Sequence, residues 1–128
     1  MIDTREFVYN QSRWQDIFLY LQDKGFEVYS PGVKVGECSS PYVVVKNDGS
    51  SRHDSFSTNV DLYALMCYVP KNNYSYLEVF VSEVRSAMKE LEPMIKPTGQ
   101  QTSSYYDDTY KAHMISIQYK NYKKILTI

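Results

Sequence analysis

The residues best equipped for chemistry in this chain are Asp107, Asp108 and His113, two adjacent carboxylates followed closely by an imidazole. Such groups can trade a proton or hold a cation. In an extended segment, six residues span roughly 20 Å, whereas ligands of one ion lie ~2 Å from it. His113 therefore reads as a strand residue on a sheet face or at a subunit contact. The acidic pair could still hold a hard cation with loop carbonyls, but it fits a solvated turn better. The other histidine, His53, stands between Arg52 and Asp54 in a polar stretch and suits an interface ion pair better than turnover. Cys38 and Cys67 show no metal or redox spacing and have no histidine close in sequence. They fit reduced thiols of a cytoplasmic product, with Cys67 in the core. There is no Gly-x-Ser-x-Gly elbow, and the 5 glycines form no phosphate loop. The sequence thus predicts no catalytic residue, no cofactor and no metal site.

Any such surface has to be held by a scaffold, and Asn59–Leu91 is where the scaffold is most legible. Asn59–Val69 alternates two apolar sets: Val60, Leu62, Ala64, Met66 and Tyr68 on one face, and Tyr63, Leu65, Cys67 and Val69 on the other. A strand apolar on both faces belongs in the middle of a sheet with a helix laid over it. That helix follows at once. Ser75 and Glu78 have capping-box spacing, and Leu77, Phe80, Val81, Val84, Met88 and Leu91 repeat at helical intervals. Pro93 and Pro97 stop it.

Upstream, Asp3 and Glu6 also have capping-box spacing, and Phe7, Trp14, Ile17, Phe18 and Leu21 form one stripe. A helix over about 4–23 is expected, ended by Gly25. Phe26–Tyr29 reads as a short strand, Val33–Ser40 as a loop or loose edge hairpin, and Tyr42–Lys46 as a buried strand. Asn47-Asp48-Gly49-Ser50 is a hairpin-turn signal, with Ser51–Thr58 as a polar return arm. Beyond the second helix, 100–108 reads as one strand leading into the acidic turn. Ala112–Tyr119 closes the domain, and 120–128 is left as a mobile tail or docking strand. The expected fold is a single α+β domain over 1–128. It has a mixed, mainly antiparallel sheet, two helices on one face and a projecting hairpin.

Bulk properties exclude several classes. A net charge of −1 argues against nucleic acid held by bulk electrostatics, and Lys120–Lys124 is too short a basic run to reverse this. No apolar run approaches the ~20 residues that cross a bilayer, and the polar N-terminus does not resemble a signal peptide. The 13 tyrosines are the compositional anomaly. Either they are sheet residues with wet phenol tips, or they furnish a partner surface.

The chain resembles the tail terminator (tail completion) proteins of long-tailed bacteriophages and phage-tail-like particles. The likeness lies in an ordered series: the N-terminal helix closing at Gly25–Tyr29, Pro41–Val45, the strand Asp61–Val69 ending at Pro70, the helix Leu77–Leu91, and Asp107-Asp108 ahead of Ala112–Tyr119. The resemblance implies a structural virion protein with no active site. It would assemble as a homo-oligomeric ring, usually a hexamer, on the head-proximal end of the tail tube, in the neck region of the virion after assembly in the host cytoplasm. Its partners would be the tail tube protein, a head-completion or neck protein and, in a contractile particle, the sheath protein. A heterologous ring uses two different patches per subunit. Exposure and polarity nominate the hairpin Lys46–Thr58, with Arg52, His53, Asp54 and Phe56, for one patch. The Tyr105-Tyr106-Asp107-Asp108 loop is nominated for the other. The alternatives are another neck or head-closure ring protein, or a small ligand-binding or enzymatic module with a cleft at Tyr105, Asp107 and His113.

Overall fold

A computed structural model describes residues 13–52 and 58–124. The expected start of the first helix with its Asp3 cap, the hairpin tip with His53, Asp54 and Phe56, and the last four residues lie outside the described residues.

Helix α1 spans Arg13–Asp23. Ile17 and Leu21 are fully buried, with Trp14 and Phe18 packed beside them. It ends in a two-bond C-terminal lock. Gly25 N–H reaches the Gln22 carbonyl and Phe26 N–H reaches the Leu21 carbonyl, both at 3.1 Å. This geometry needs the positive φ of Gly25, +95°, which a Cβ would penalise.

Six strands follow: β1 (Val28–Tyr29), β2 (Tyr42–Arg52), β3 (Thr58–Pro70), β4 (Ile95–Gln101), β5 (Tyr105–Asp107) and β6 (Ala112–Lys124). The sheet order is β1-β2-β3-β6-β4, with β5 also paired to β6. Only β1–β2 is parallel; the other pairs are antiparallel. β3 is therefore central, as its two apolar faces require. On one face Val43, Val45, Leu65, Cys67, Ile115 and Ile117 meet both helices, α1 and α2 (Leu77–Met88), in the main core. On the other, Tyr42, Val44, Tyr68 and Ala112 gather under Cys38. The α+β architecture with both helices on one face is the one expected.

Four local expectations are corrected. The Asn47–Ser50 segment is not the hairpin turn but a bulge inside β2, where the register slips between Asn47 and Ser50. Gly49, at φ +91°, supplies the bulge's positive φ, and its N–H is held by Asn47 Oδ1 at 2.8 Å. The ladder runs on to Arg52 opposite Asn59, so the chain reverses beyond the bulge. Ser75 does not cap α2. A 3-10 turn, Lys71–Tyr76, feeds directly into the helix, so Tyr76 is already helical and Leu77 N–H bonds the Tyr74 carbonyl. The single strand expected over 100–108 is two, β4 and β5, broken at 102–104. Finally, 120–124 is not a tail: β6 stays paired with β3 through Lys124.

Candidate interaction surfaces

The β3–β6 ladder leads from an aromatic edge at one end to the paired hairpin arms at the other. At the end near Val69 and His113, β5 adds an aromatic edge. Tyr106 lies opposite His113 in register, and its ring is 5.1 Å from the imidazole. Tyr74, from the 3-10 turn, approaches the other side at 4.7 Å. The imidazole Nε2 is 3.2 Å from the Lys71 carbonyl, and Tyr74 Oη shares a 3.0 Å hydrogen bond with Ser104. Tyr74 and Tyr105 remain 54% and 56% exposed, and Tyr106 38%. An aromatic patch that solvated is uncommon without a partner. Tyr74 was not singled out from the sequence because it sits in the polar break after Pro70. An aromatic residue within such a break was the available signal.

Asp107 and Asp108 are engaged in building the turn between β5 and β6. The chain folds straight back, placing Asp107 opposite Ala112, so the extended-segment separation does not apply. Asp107 Oδ1 accepts the N–H groups of Thr109 at 2.9 Å and Tyr110 at 3.3 Å. Lys111, in the left-handed region at φ +50°, donates to Asp108 at 2.9 Å and lowers the pKa of that carboxyl. Each carboxylate is committed locally, and His113 interacts with rings and a carbonyl. Among the described residues, no group of three or more His, Cys, Asp or Glu side chains is placed to hold a metal ion.

At the far end, β2 and β3 stay paired out to Arg52 and Asn59. Arg52 stands on β2 opposite Asn59, while His53, Asp54 and Phe56 lie outside the described residues. The ten residue steps from Asn59 to Val69 put roughly 33 Å between the two ends.

A cavity of about 330 Å³ lies against the break between β4 and β5, lined by Tyr74, Glu78, Gln101, Ser103, Ser104 and Ile115; Tyr105, Asp107 and His113 are not in its lining. Thr102 secures this break, its N–H bonding the Ser116 carbonyl at 3.0 Å and its hydroxyl accepting Ser116 N–H at 2.9 Å.

The remaining tyrosines resolve much of the compositional anomaly. Tyr63 and Tyr119 belong to the main core. Tyr42 stacks on Tyr68 at 4.9 Å, with Tyr29 and Tyr110 edge-on at 5.4 and 6.0 Å. Lys34 Nζ stands 5.4 Å from the Tyr29 ring and 5.6 Å from Tyr42. Burial raises the Tyr42 phenol above the ordinary range and Tyr68 to about 12. The same cause raises the Cys38 thiol, and Cys67 to about 12, so neither cysteine offers a thiolate near neutral pH. The Val33–Ser40 segment thus has a structural role: it closes the second face, with Cys38 N–H bonded to the Tyr110 carbonyl at 2.7 Å.

No protein-family model matches the chain, and a comparison with curated proteins returned no match.

Proposed function

We propose that this chain is a structural subunit of the tail-terminator kind. It assembles as a ring on the head-proximal end of a tail tube, ends tube polymerisation and presents a surface to the head-completion protein. The observation that supports the reading is an exposed aromatic edge at one end of the β3–β6 ladder, with the paired hairpin arms Arg52 and Asn59 roughly 33 Å away at the other. Head-to-tail contacts that close a ring need two different patches held at fixed separation. β3 and β6 are paired over thirteen positions and supply that rigidity. The exposed tyrosines at β5 are the residue type favoured at protein contacts.

Native mass spectrometry across a concentration series, alone and with cognate tube protein, tests the assembly. A closed oligomer of one size, hexameric by expectation, supports the reading. A chain that stays monomeric in both settings contradicts it. A ring that joins heads but never tube ends would instead assign the chain to the neighbouring neck position.

A further inference from the structure

Arg85, half-buried on α2, carries a positive charge without a carboxylate beside it. Among the described residues no acidic oxygen lies within 4 Å of its guanidinium. Its neighbours are neutral: Nη2 donates to Gln101 Oε1 at 2.6 Å, and the Tyr119 phenol lies close by. Charges withdrawn from water are ordinarily paired. A guanidinium only donates, so Gln101 turns its oxygen to Arg85 and keeps both Nε2 hydrogens for another acceptor. These two side chains line a cavity of about 190 Å³ with Ser82 and the buried Val81 and Ile115. Glu78 also borders it, but stands seven residues and about 10 Å along the helix from Arg85, so its exposed charge is largely screened there. An acid seated in the cavity would touch the guanidinium directly. The 330 Å³ cavity adjoins this one, sharing Glu78, Gln101 and Ile115, and adds Leu77 and Tyr74 as apolar walls.

The loop before β2 carries the matching pair of groups. Val33 and Val35 are 58% and 80% exposed. Glu37, two residues beyond Val35, is exposed and in no ion pair among the described residues; Lys111, which feels its charge, is bonded to Asp108. The loop is anchored, with Lys34 against the rings of Tyr29 and Tyr42 and Cys38 N–H on the Tyr110 carbonyl. It therefore presents Val35 and Glu37 about 7 Å apart along the chain at little ordering cost. The Lys34 contacts put the loop on the β1–β2 side of the sheet, whereas the cavities lie on the β4 side.

We propose that a second copy of this chain docks its 33–37 loop here, with the Glu37 carboxylate on Arg85 and Gln101 and Val35 in the adjoining cavity against Leu77 and Ile115. The two patches differ and lie on opposite sides of the sheet, so the contact is heterologous and propagates from copy to copy. This deepens the ring reading and rests on it for self-association.

The test uses the full chain with Glu37→Arg and Arg85→Glu, separately and combined, and with Val35→Asp. Sedimentation velocity over a concentration series reads the midpoint of assembly, or co-sedimentation with tubes of cognate tube protein if the free chain is monomeric. Glu37→Arg and Val35→Asp each raise the midpoint at least about tenfold, because like charges or a buried lone carboxylate then meet at the contact. Both side chains are exposed, so the melting curve stays unchanged. Combining Glu37→Arg with Arg85→Glu returns the midpoint to within roughly threefold of wild type. If Arg85→Glu alters the melting curve, Ser82→Glu replaces it: from an exposed position it sets a carboxylate in the cavity, raises the midpoint and is rescued by Glu37→Arg. Assembly indifferent to the loop variants, or no recovery in the paired variant, overturns this contact and leaves the ring reading standing. A wild-type chain that self-associates neither alone nor on tubes overturns both.

Discussion

Replacing Leu65 by Ala and, separately, Leu62 by Ala probes the two faces of β3 with the same chemical change. Leu65 is fully buried in the main core, between register partners Val45 and Ile117, which are themselves fully buried. Leu→Ala removes three carbons, worth about 0.8 kcal/mol each in transfer free energy. The cavity left under both helices adds to this, giving about 3–4 kcal/mol in all. For a domain of this length that lowers Tm by about 10–15 °C. Leu62, three residues away on the opposite face, is only half-buried. Its truncation costs the monomer under about 1.5 kcal/mol, because part of the side chain already meets water. Urea unfolding of dilute samples, followed by circular dichroism, measures both values with an unchanged m-value. Equal losses, or a larger loss at Leu62, would refute the assignment of the helix-covered face and with it the register of β3.

Three further outcomes follow from the local geometry. Trp14→Phe keeps an aromatic ring against Phe18 but removes the indole donor that reaches the Val45 carbonyl at 2.6 Å, so stability falls by about 1 kcal/mol in the same assay. Asp107→Ala strips two backbone N–H groups of their acceptor and lowers stability by about 1 kcal/mol, whereas Asp108→Ala, which loses only a surface ion pair, leaves the urea midpoint unchanged. Tyr42 and Tyr68 have phenol pKa values raised above their unfolded value near 10, Tyr68 to about 12. Above pH ~10 the unfolded chain releases these protons while the folded one keeps them, so their contribution is full below that pH and is lost as pH climbs towards 12. Phenolate absorbance should show these two rings ionising late and together with loss of structure; early reversible ionisation of all tyrosines would contradict their burial.

The apolar run in Asn59–Val69 was enough to place β3 at the sheet centre, because a strand apolar on both faces has to be covered on both. The helical stripe at Leu77–Met88 and the stop at Gly25 were legible for the same reason: apolar spacing and positive φ are local requirements. What escaped was decided by tertiary pairing. Asp48-Gly49 carries a turn signature, but β3 continues as a partner for β2 beyond it, and the same positive φ serves a bulge. Pro97, read as a helix stop, stands inside β4, at the edge of the sheet, where a strand tolerates proline. Residues 120–124 look like a charged tail in isolation and become a strand only because β3 is long enough to pair with them. Of the nominated surface residues, Tyr105 and Tyr106 are displayed as expected, whereas the acidic pair is spent on the turn and Tyr74 takes a place beside His113.

The central claim, a ring that ends tube growth, is tested most directly by electron microscopy of tubes polymerised from cognate tube protein in the presence and absence of this chain. The account predicts a ring of density at one end of each tube and tubes that stop lengthening once it is bound. Tubes that grow unchanged, with no added density at either end, would contradict it.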